Sequence, residues 1–224
     1  MKLKYLFSTA LVMTALQLPA FAAPATYEEV EESAEVFSEM IEDPDTRIPS
    51  WLMQRTQAIA IVTNLKQGGF LFGGRRGDGV MLTRLPNGSW SNPSFINLTG
   101  GSVGLQAGFK SGDLVLLFPS QAALNSVISE EFEIGGSVSG TAGPLSKSAR
   151  ESLQAFDEDT VYVYSRSKGL FGGVALEGSK LAVDNKDNRQ FYGRPVTVRQ
   201  IFTDPNLPAP SVVNTLKATL SQAE

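Results

Sequence analysis

Hydrophobic side chains recur every three or four positions near the N-terminus, and carboxylates fill most of the positions between them. The apolar residues at this spacing are Tyr27, Val30, Ala34, Phe37 and Ile41. Because the period matches one face of a helix, the pattern predicts an amphipathic helix over residues 27–42 with a solvated acidic face. Thr26 and Glu29 have the spacing of a capping box, and Asp43-Pro44 ends the helix.

A different pattern begins after residue 57, where short apolar runs alternate with glycines and turn residues. All 21 glycines of the chain lie between Gly68 and Gly193. The apolar runs predict strands at 58–65, 69–74, 78–84, 101–109, 114–118, 131–141, 160–166 and 171–177. Small residues in segments 100–108 and 135–143 let backbones approach closely, which favours a strongly curved antiparallel sheet or a barrel-like core.

Short helices complete the predicted elements. Pro49 opens one that runs to about Gln57, and a second is predicted over residues 121–128. Residues 191–202 supply one or two further elements, and residues 212–220 form a helix after a proline-containing linker. Together these elements predict the α+β class, a single domain in which helices pack on the sheet.

The first 22 residues have the composition of a secretory signal peptide. Lys2 and Lys4 precede an apolar run, and Ala20-Phe21-Ala22 fits the pattern of a cleavage site. The sequence therefore predicts cleavage after Ala22 and an exported protein, periplasmic or secreted. Since the chain has no cysteine, we expect neither a lipoprotein anchor nor disulfides.

Composition excludes most kinds of catalytic site. The absence of histidine and cysteine removes Ser-His-Asp and Cys-His catalysis and the usual zinc sites. The segment Gly73 to Gly79 lacks the Gly-Lys-Ser/Thr ending of a phosphate loop, and Asp157-Glu158-Asp159 lacks the alternation of a calcium loop. A net charge of −4 does not suit nucleic acid. We therefore expect a protein that is not an enzyme and that has no metal, cofactor or nucleic-acid partner.

Charge divides the chain in two. Residues 23–46 hold nine carboxylates and no lysine or arginine, whereas the chain after residue 46 holds 17 cations and 14 carboxylates. One hypothesis is that the acidic helix lies over basic loops as an electrostatic lid that competes with lipid headgroups. The alternative is a structural helix that completes the core. Deletion of residues 23–46 tightens membrane binding in the first case and unfolds the protein in the second.

Two glycine-rich segments share one plan, in which cations stand beside large apolar residues and a glycine pair. The first runs from Lys66 to Arg76 and the second from Ser165 to Val174. Cations beside an apolar tip suit contact with an anionic amphiphile. The residues expected to contact phosphate are Lys66, Arg75, Arg76, Arg166 and Lys168. Those expected to enter the membrane interface are Phe70, Phe72, Leu170 and Phe171.

Several short motifs follow one another in order between residues 47 and 203. They include Ile48-Pro49, Gly68-Gly69-Phe70, Trp90-Ser91-Asn92-Pro93-Ser94-Phe95, Gly104-Leu105-Gln106-Ala107-Gly108, Tyr164 to Val174, and Tyr192-Gly193. This series resembles the SYLF lipid-binding domain family, whose eukaryotic members include actin-patch and endocytic regulators. The resemblance implies a module that binds anionic phospholipid. Eukaryotic members bind phosphoinositides partly through a basic N-terminal segment, but this segment is acidic here and export is predicted, so neither phosphoinositides nor actin is expected.

The sequence thus predicts non-enzymatic, peripheral binding of an anionic phospholipid membrane surface in the cell envelope. The alternative is an envelope structural or protein-interaction module, with a protein partner, whose glycine-rich turns are buried in the core. The expected divisions of the chain are a signal peptide, an acidic helix, a SYLF-like domain, and a linker with a short terminal helix, at 1–22, 23–46, 47–203 and 204–224.

Overall fold

The computed structural model describes most of the chain after residue 23. The described ranges are 24–44, 47–69, 72–103, 108–120, 131–134, 139–142, 160–167 and 178–224. The predicted signal peptide, the predicted helix over 121–128 and the predicted strand at 171–177 lie outside these residues.

Eight strands of the described residues form one open sheet. In chain order they are β1 Ala58–Gly69, β2 Phe72–Thr83, β3 Ser94–Val103, β4 Gly108–Phe118, β5 Glu131–Ile134, β6 Ser139–Ala142, β7 Thr160–Ser167 and β8 Ser179–Val183. Their order across the sheet is β5-β8-β3-β2-β1-β4-β7-β6. Neighbours are antiparallel except β6 and β7, which are parallel. The predicted α+β class with an antiparallel sheet in a single domain is confirmed, although the sheet does not close into a barrel.

Helices in the described ranges flank this sheet. They are α1 Ala25–Glu42, α2 Ser50–Met53, α3 Asn185–Tyr192, α4 Val198–Thr203 and α5 Val212–Gln222. The predicted acidic helix is confirmed as α1, but its capping box is wrong, because the helix begins directly after Pro24 and Thr26 is buried inside its first turn. A capping box does form at α4, between Thr197 and Gln200. Within the described part of the chain, no helix has the length and apolar character needed to cross a bilayer.

Each face of the sheet carries its own core. On one face, α1 packs through Val30, Phe37 and Met40 against the buried side of α5. On the other face, α4 contributes Ile201 and Phe202 to a second cluster. Because successive side chains of a strand point to opposite faces, β1 contributes side chains to both cores, and its sequence is therefore a continuous apolar run.

A β-bulge in β1 separates the packed part of the sheet from its end. The register with β2 shifts between Thr63 and Lys66, and Asn64 there has a φ of 53°, in the left-handed region that asparagine tolerates. The extra residue keeps Leu65 in the core and returns Lys66 to the face that carries α1.

The glycine-rich end of the sheet is the part of β1 to β4 beyond this bulge. Its glycines include Gly68, Gly69, Gly73, Gly74, Gly100, Gly101, Gly108 and Gly112. The ladder continues through them because its hydrogen bonds join backbone groups. The predicted strand at 69–74 is therefore wrong, since the chain reverses between Gly69 and Phe72, and the predicted strand at 101–109 is the end of β3 and the start of β4.

Candidate functional site

An open cleft lies where the first turns of α1 run beside the bulged parts of β1 and β2. Its volume is about 360 Å³. Carboxylates from the helix and cations from the strands share its lining, which consists of Ala25, Glu28, Glu29, Glu32, Thr63, Asn64, Lys66, Arg76, Gly77 and Asp78. We call this feature the α1 cleft.

Two of the predicted cations come together at the α1 cleft. Lys66 and Arg76 are direct cross-strand partners in the register of β1 and β2, so their side chains share one face. Both are exposed. The guanidinium of Arg76 lies 3.8 Å from the carboxylate of Asp78, and the side chains remain 73% and 59% exposed. An ion pair this exposed contributes little, so Arg76 remains available to a ligand.

Glu29 is the carboxyl group of the cleft most affected by its surroundings. Burial, the largest cause, and the negative charges of Asp78, Asp187 and Asp184 together raise the pKa of Glu29 from 4.5 to about 8. At neutral pH a glutamate side chain in water is ionised, but the protonated form of Glu29 is favoured here, because a negative charge is unfavourable in a low-dielectric site among other carboxylates. Glu29 therefore holds a proton near neutral pH.

Replacing Glu29 with glutamine is expected to flatten the dependence of stability on pH. The folded protein keeps the Glu29 proton between pH 4.5 and about 8, whereas the unfolded chain releases it, so the free energy of unfolding of the wild type falls as pH rises through this window. Allowing for solvent screening of a half-exposed group, Glu29→Gln is about 2 kcal/mol more stable at the upper end of the window. Urea unfolding across the window measures this difference. Glu31→Gln, an exposed position on α1, is the control and should keep the wild-type slope.

Arg166 is engaged by acidic side chains from two elements. Its Nε and Nη2 donate to Asp113 Oδ2 at 3.1 and 2.9 Å, and its Nη1 pairs with Glu39 of α1. Asp113 also accepts from the Asn64 backbone at 2.9 Å, and the Asn64 amide donates to Glu32 at 2.6 Å. This network, which sequence reasoning missed, joins α1 to β1, β4 and β7.

Arg75 lies apart from the other described cations. Alternation along β2 directs it to the face opposite α1, where it is 7% exposed and donates from Nη2 to the Gly101 carbonyl at 3.4 Å. Burial lowers the pKa of its guanidinium. Its side chain runs over Gly100, where an added Cβ would come within 3.2 Å of it. This position does not suit direct contact with a membrane phosphate.

The side chains of Lys168 and of the apolar residues predicted for the membrane interface are not among those that the structure describes. Phe72 begins β2, and Phe70, Lys168, Leu170 and Phe171 lie outside the described residues. The strands that flank them nevertheless end on the same side of the sheet. Gly69 pairs with Gly73 and Gly108, Ser167 pairs with Gly112, and Ser179 pairs with Gly100. The described residues on either side of segments 70–71, 104–107 and 168–177 therefore lie at or beyond the bulge of β1.

The acidic helix proves to be part of the core. Phe37 and Met40 are fully buried, and Glu32 and Glu39 hold the polar edge of the helix to the sheet through Asn64 and Arg166. The helix thus contacts Arg166 and lies beside Lys66 and Arg76, as the lid hypothesis requires of its position. Its buried face, however, makes α1 a structural element that cannot leave without exposing the core.

The chain is similar to a family of actin-regulating proteins. A family model described as Ysc84, Las17-binding protein actin regulator, matches residues 99–223. LAS seventeen-binding protein 3 of Saccharomyces cerevisiae is 41% identical over 173 residues, which cover 75% of this chain and 37% of the yeast protein. SH3 domain-containing YSC84-like protein 1 of Homo sapiens is 32% identical over 188 residues, which cover 81% of this chain and 55% of the human protein. The chain thus spans between about a third and about half of the length of these relatives.

These relatives contradict the prediction of a periplasmic or secreted protein. They come from yeast and animals and match a family of actin regulators, and actin filaments are assembled in the cytoplasm. The prediction of export was therefore wrong. It rested on a basic and apolar stretch in residues 1–22, which lie outside the described residues. The reason for excluding actin-related partners is removed with it.

Proposed function

Because the chain belongs to the Ysc84 family of Las17-binding actin regulators, we propose that it is a non-enzymatic module that binds anionic phospholipid at a membrane surface. The observation that carries the proposal is the exposed Lys66–Arg76 pair beside the glycine-rich end of the sheet. Two cations held side by side on rigid strands form a ready site for phosphate oxygens.

The energy of such binding is modest and depends on salt. Each cation near an anionic membrane contributes about 1 kcal/mol, and the attraction falls off within a Debye length. Apolar side chains that enter the interface add about 1.5–3 kcal/mol each when fully buried. We assign this apolar contribution to Phe70, Phe72, Leu170 and Phe171, with Lys168 as a third cation. All five belong to the glycine-rich segments that start or finish at the same end of the sheet.

Two predicted phosphate ligands receive other roles in this proposal. Arg166 holds α1 against the sheet through Glu39 and Asp113. Arg75 supports the backbone of β3 from the opposite face. Lys66 and Arg76 are therefore the described cations that meet the membrane.

Reversing both cations is expected to abolish recruitment to anionic vesicles. In Lys66→Glu/Arg76→Glu, two favourable contributions of about 1 kcal/mol each are lost and repulsion replaces them, so the apparent affinity falls at least about 30-fold. Co-sedimentation with phosphatidylglycerol vesicles at low ionic strength measures the change. The matched control is Arg194→Glu/Arg199→Glu, which makes the same change of net charge at exposed positions. Equal binding by both double variants would contradict the proposal.

A second candidate function rests on the names of the relatives. The matched yeast protein is named for binding Las17, which points to a protein partner for this chain as well. If the wild type fails to sediment with anionic vesicles at every ionic strength but binds a Las17-type protein, the module is a protein-interaction domain and the membrane proposal is wrong.

A further inference from the structure

Carboxylates outnumber cations in the α1 cleft. Glu28, Glu29, Glu32 and Asp78 face two cations, Lys66 and Arg76. A ligand that carries only negative charge meets repulsion from the helix side of the cleft as well as attraction from the strands. A complementary ligand carries both signs.

The two signs occupy different sides of the cleft. The cations come from paired positions of β1 and β2, whereas Glu28 and Glu29 come from the first turns of α1. Asp78 lies two residues along β2 from Arg76 and on the same face, 3.8 Å from the Arg76 guanidinium, and its charge also acts on Glu29. A ligand lying across the cleft therefore meets cations at one end and carboxylates at the other.

Several of these groups lack partners within the described part of the chain. The Lys66 amine and the carboxyl groups of Glu28 and Glu29 make no hydrogen bond or ion pair there. The Glu29 carboxyl is half-buried. Partly desolvated groups without partners gain most from a ligand that supplies the missing donors and acceptors.

We propose that the α1 cleft binds the zwitterionic headgroup of an aminophospholipid, with the phosphate on Lys66 and Arg76 and the primary ammonium among the carboxylates of Glu28, Glu29 and Asp78. This inference rests on the proposed function and names the headgroup that the same surface selects. The shared chemistry is a phosphate joined by a short linker to a primary amine. Serine and ethanolamine headgroups carry it.

The lining of the cleft favours a primary over a quaternary ammonium. A primary ammonium donates three hydrogen bonds, which carboxylate oxygens accept. A quaternary ammonium is recognised by aromatic cages, and among the described residues that line the cleft none has an aromatic ring. The volume of about 360 Å³ lies at the lower end of the range for small-molecule sites and suits a headgroup.

The protonation of Glu29 is consistent with a cationic occupant. Desolvation and neighbouring carboxylates raise the pKa of Glu29 to about 8 when no cation is present. A bound ammonium places a positive charge among these carboxylates and favours the ionised form. The half-buried Glu29 carboxyl then gains a counter-charge, since none of the described groups that shift its pKa is a cation.

Vesicles of equal surface charge separate this inference from the proposed function. The full-length protein is sedimented with phosphatidylcholine vesicles that contain equal mole fractions of either phosphatidylserine or phosphatidylglycerol. Each of these two lipids carries one net negative charge, but only the first has a primary ammonium. We expect about tenfold tighter binding to the serine lipid, the size of one charge-assisted hydrogen-bond contribution. Equal binding to both vesicles overturns the inference and leaves the proposed function standing, whereas binding to neither refutes both.

Matched variants locate the preference. Glu28→Gln/Glu29→Gln should bring serine-lipid binding down to the level of the glycerol lipid and leave glycerol-lipid binding equal or tighter, since repulsion is removed. Glu31→Gln, exposed on the same helix and outside the cleft lining, should keep the wild-type preference. A preference that survives in the double variant overturns the assignment of the carboxylates.

A soluble headgroup distinguishes a lipid from a free ligand. Glycerophosphoethanolamine should shift the NMR signals of Lys66 and Glu29 and compete with serine-lipid vesicles, and inorganic phosphate should do neither at the same concentration. Binding of the soluble compound without vesicle binding overturns the lipid assignment. Equal competition by inorganic phosphate overturns the role of the ammonium.

Discussion

Phe37→Ala is expected to destabilise the whole domain by about 4 kcal/mol, the range observed for truncating a fully buried phenylalanine. Phe37 is 0% exposed and packs in the cluster that joins α1, α5 and the sheet. A loss of this size consumes a large part of the stability of a typical domain. Denaturant unfolding, followed by circular dichroism, measures it. The deletion of residues 23–46 should have a greater effect and leave no cooperative transition.

This result decides between the two roles considered for the acidic helix. If α1 were a displaceable lid, Phe37→Ala would unfold with a nearly unchanged midpoint and would bind anionic vesicles more tightly. Glu35→Ala is the control, because Glu35 is exposed on the same helix, and it should change stability by less than about 0.5 kcal/mol. In that case burial of its apolar face holds α1 in place, and its electrostatic contacts only orient the helix on the sheet.

Gly79→Ala is expected to cost about 3 kcal/mol of folding free energy, at the upper end of the usual range for overpacking. A Cβ at Gly79 would overlap the Ile61 carbonyl oxygen and lie 2.8 Å from the Val62 Cα. Both are backbone atoms of the paired strand β1, so relief requires the two strands to separate and lose ladder hydrogen bonds. Thermal unfolding reports the loss as a lower melting temperature.

Gly74→Ala supplies the comparison within the same strand. Its Cβ would meet nothing closer than the Gly100 carbonyl oxygen at 4.0 Å, and the position is exposed. We expect a change of less than about 1 kcal/mol, since the strand loses only the flexibility of one glycine. If both variants were equally stable, the close approach of β1 and β2 at Gly79 would be incorrect.

The close approach at Gly79 also matters to the proposed site. It lies beside the bulge at Asn64. This bulge determines which face of the sheet each later side chain of β1 points to, and it places Lys66 opposite Arg76. A strand shifted by one residue would direct Lys66 to the other face of the sheet. The close packing of β1 and β2 at Gly79 therefore both stabilises the sheet and keeps Lys66 and Arg76 on one face.

The local pattern of apolar residues was sufficient to predict helices, because the residues that form a helical face are close to one another in the sequence. The three- and four-residue spacing from Val30 to Ile41 predicted α1, because one helical face must be apolar wherever a helix packs. The pattern of apolar runs gives the wrong strand limits at the glycine-rich end, because it ends the first strand at residue 65 whereas β1 continues to Gly69. There, β1 continues through Gly68 and Gly69 because both residues pair with β2, and the local sequence does not reveal this pairing.

The sequence shows which side chains carry charge, but it does not show which face of the sheet each charged side chain lies on. Arg75 and Arg76 are adjacent in sequence, yet alternation and burial send one to the interior of the opposite face and the other to the α1 cleft. The sequence offers Arg166 as a cation for phosphate, whereas the fold brings Glu39 and Asp113 to it from two other elements. Such pairings join residues far apart in the chain, so only the assembled sheet determines them.

The amino-acid sequence by itself determined the α+β class, the acidic amphipathic helix, the family resemblance and the lack of histidine and cysteine chemistry. These properties follow from composition and from short-range periodicity. The tertiary structure alone decided which cations are exposed, which are held by carboxylates, and that a cleft of both charges lies between α1 and the β1–β2 pair. The physical reason is that burial and electrostatic environment depend on strand register and on packing between distant segments, and these arise only when the chain is folded.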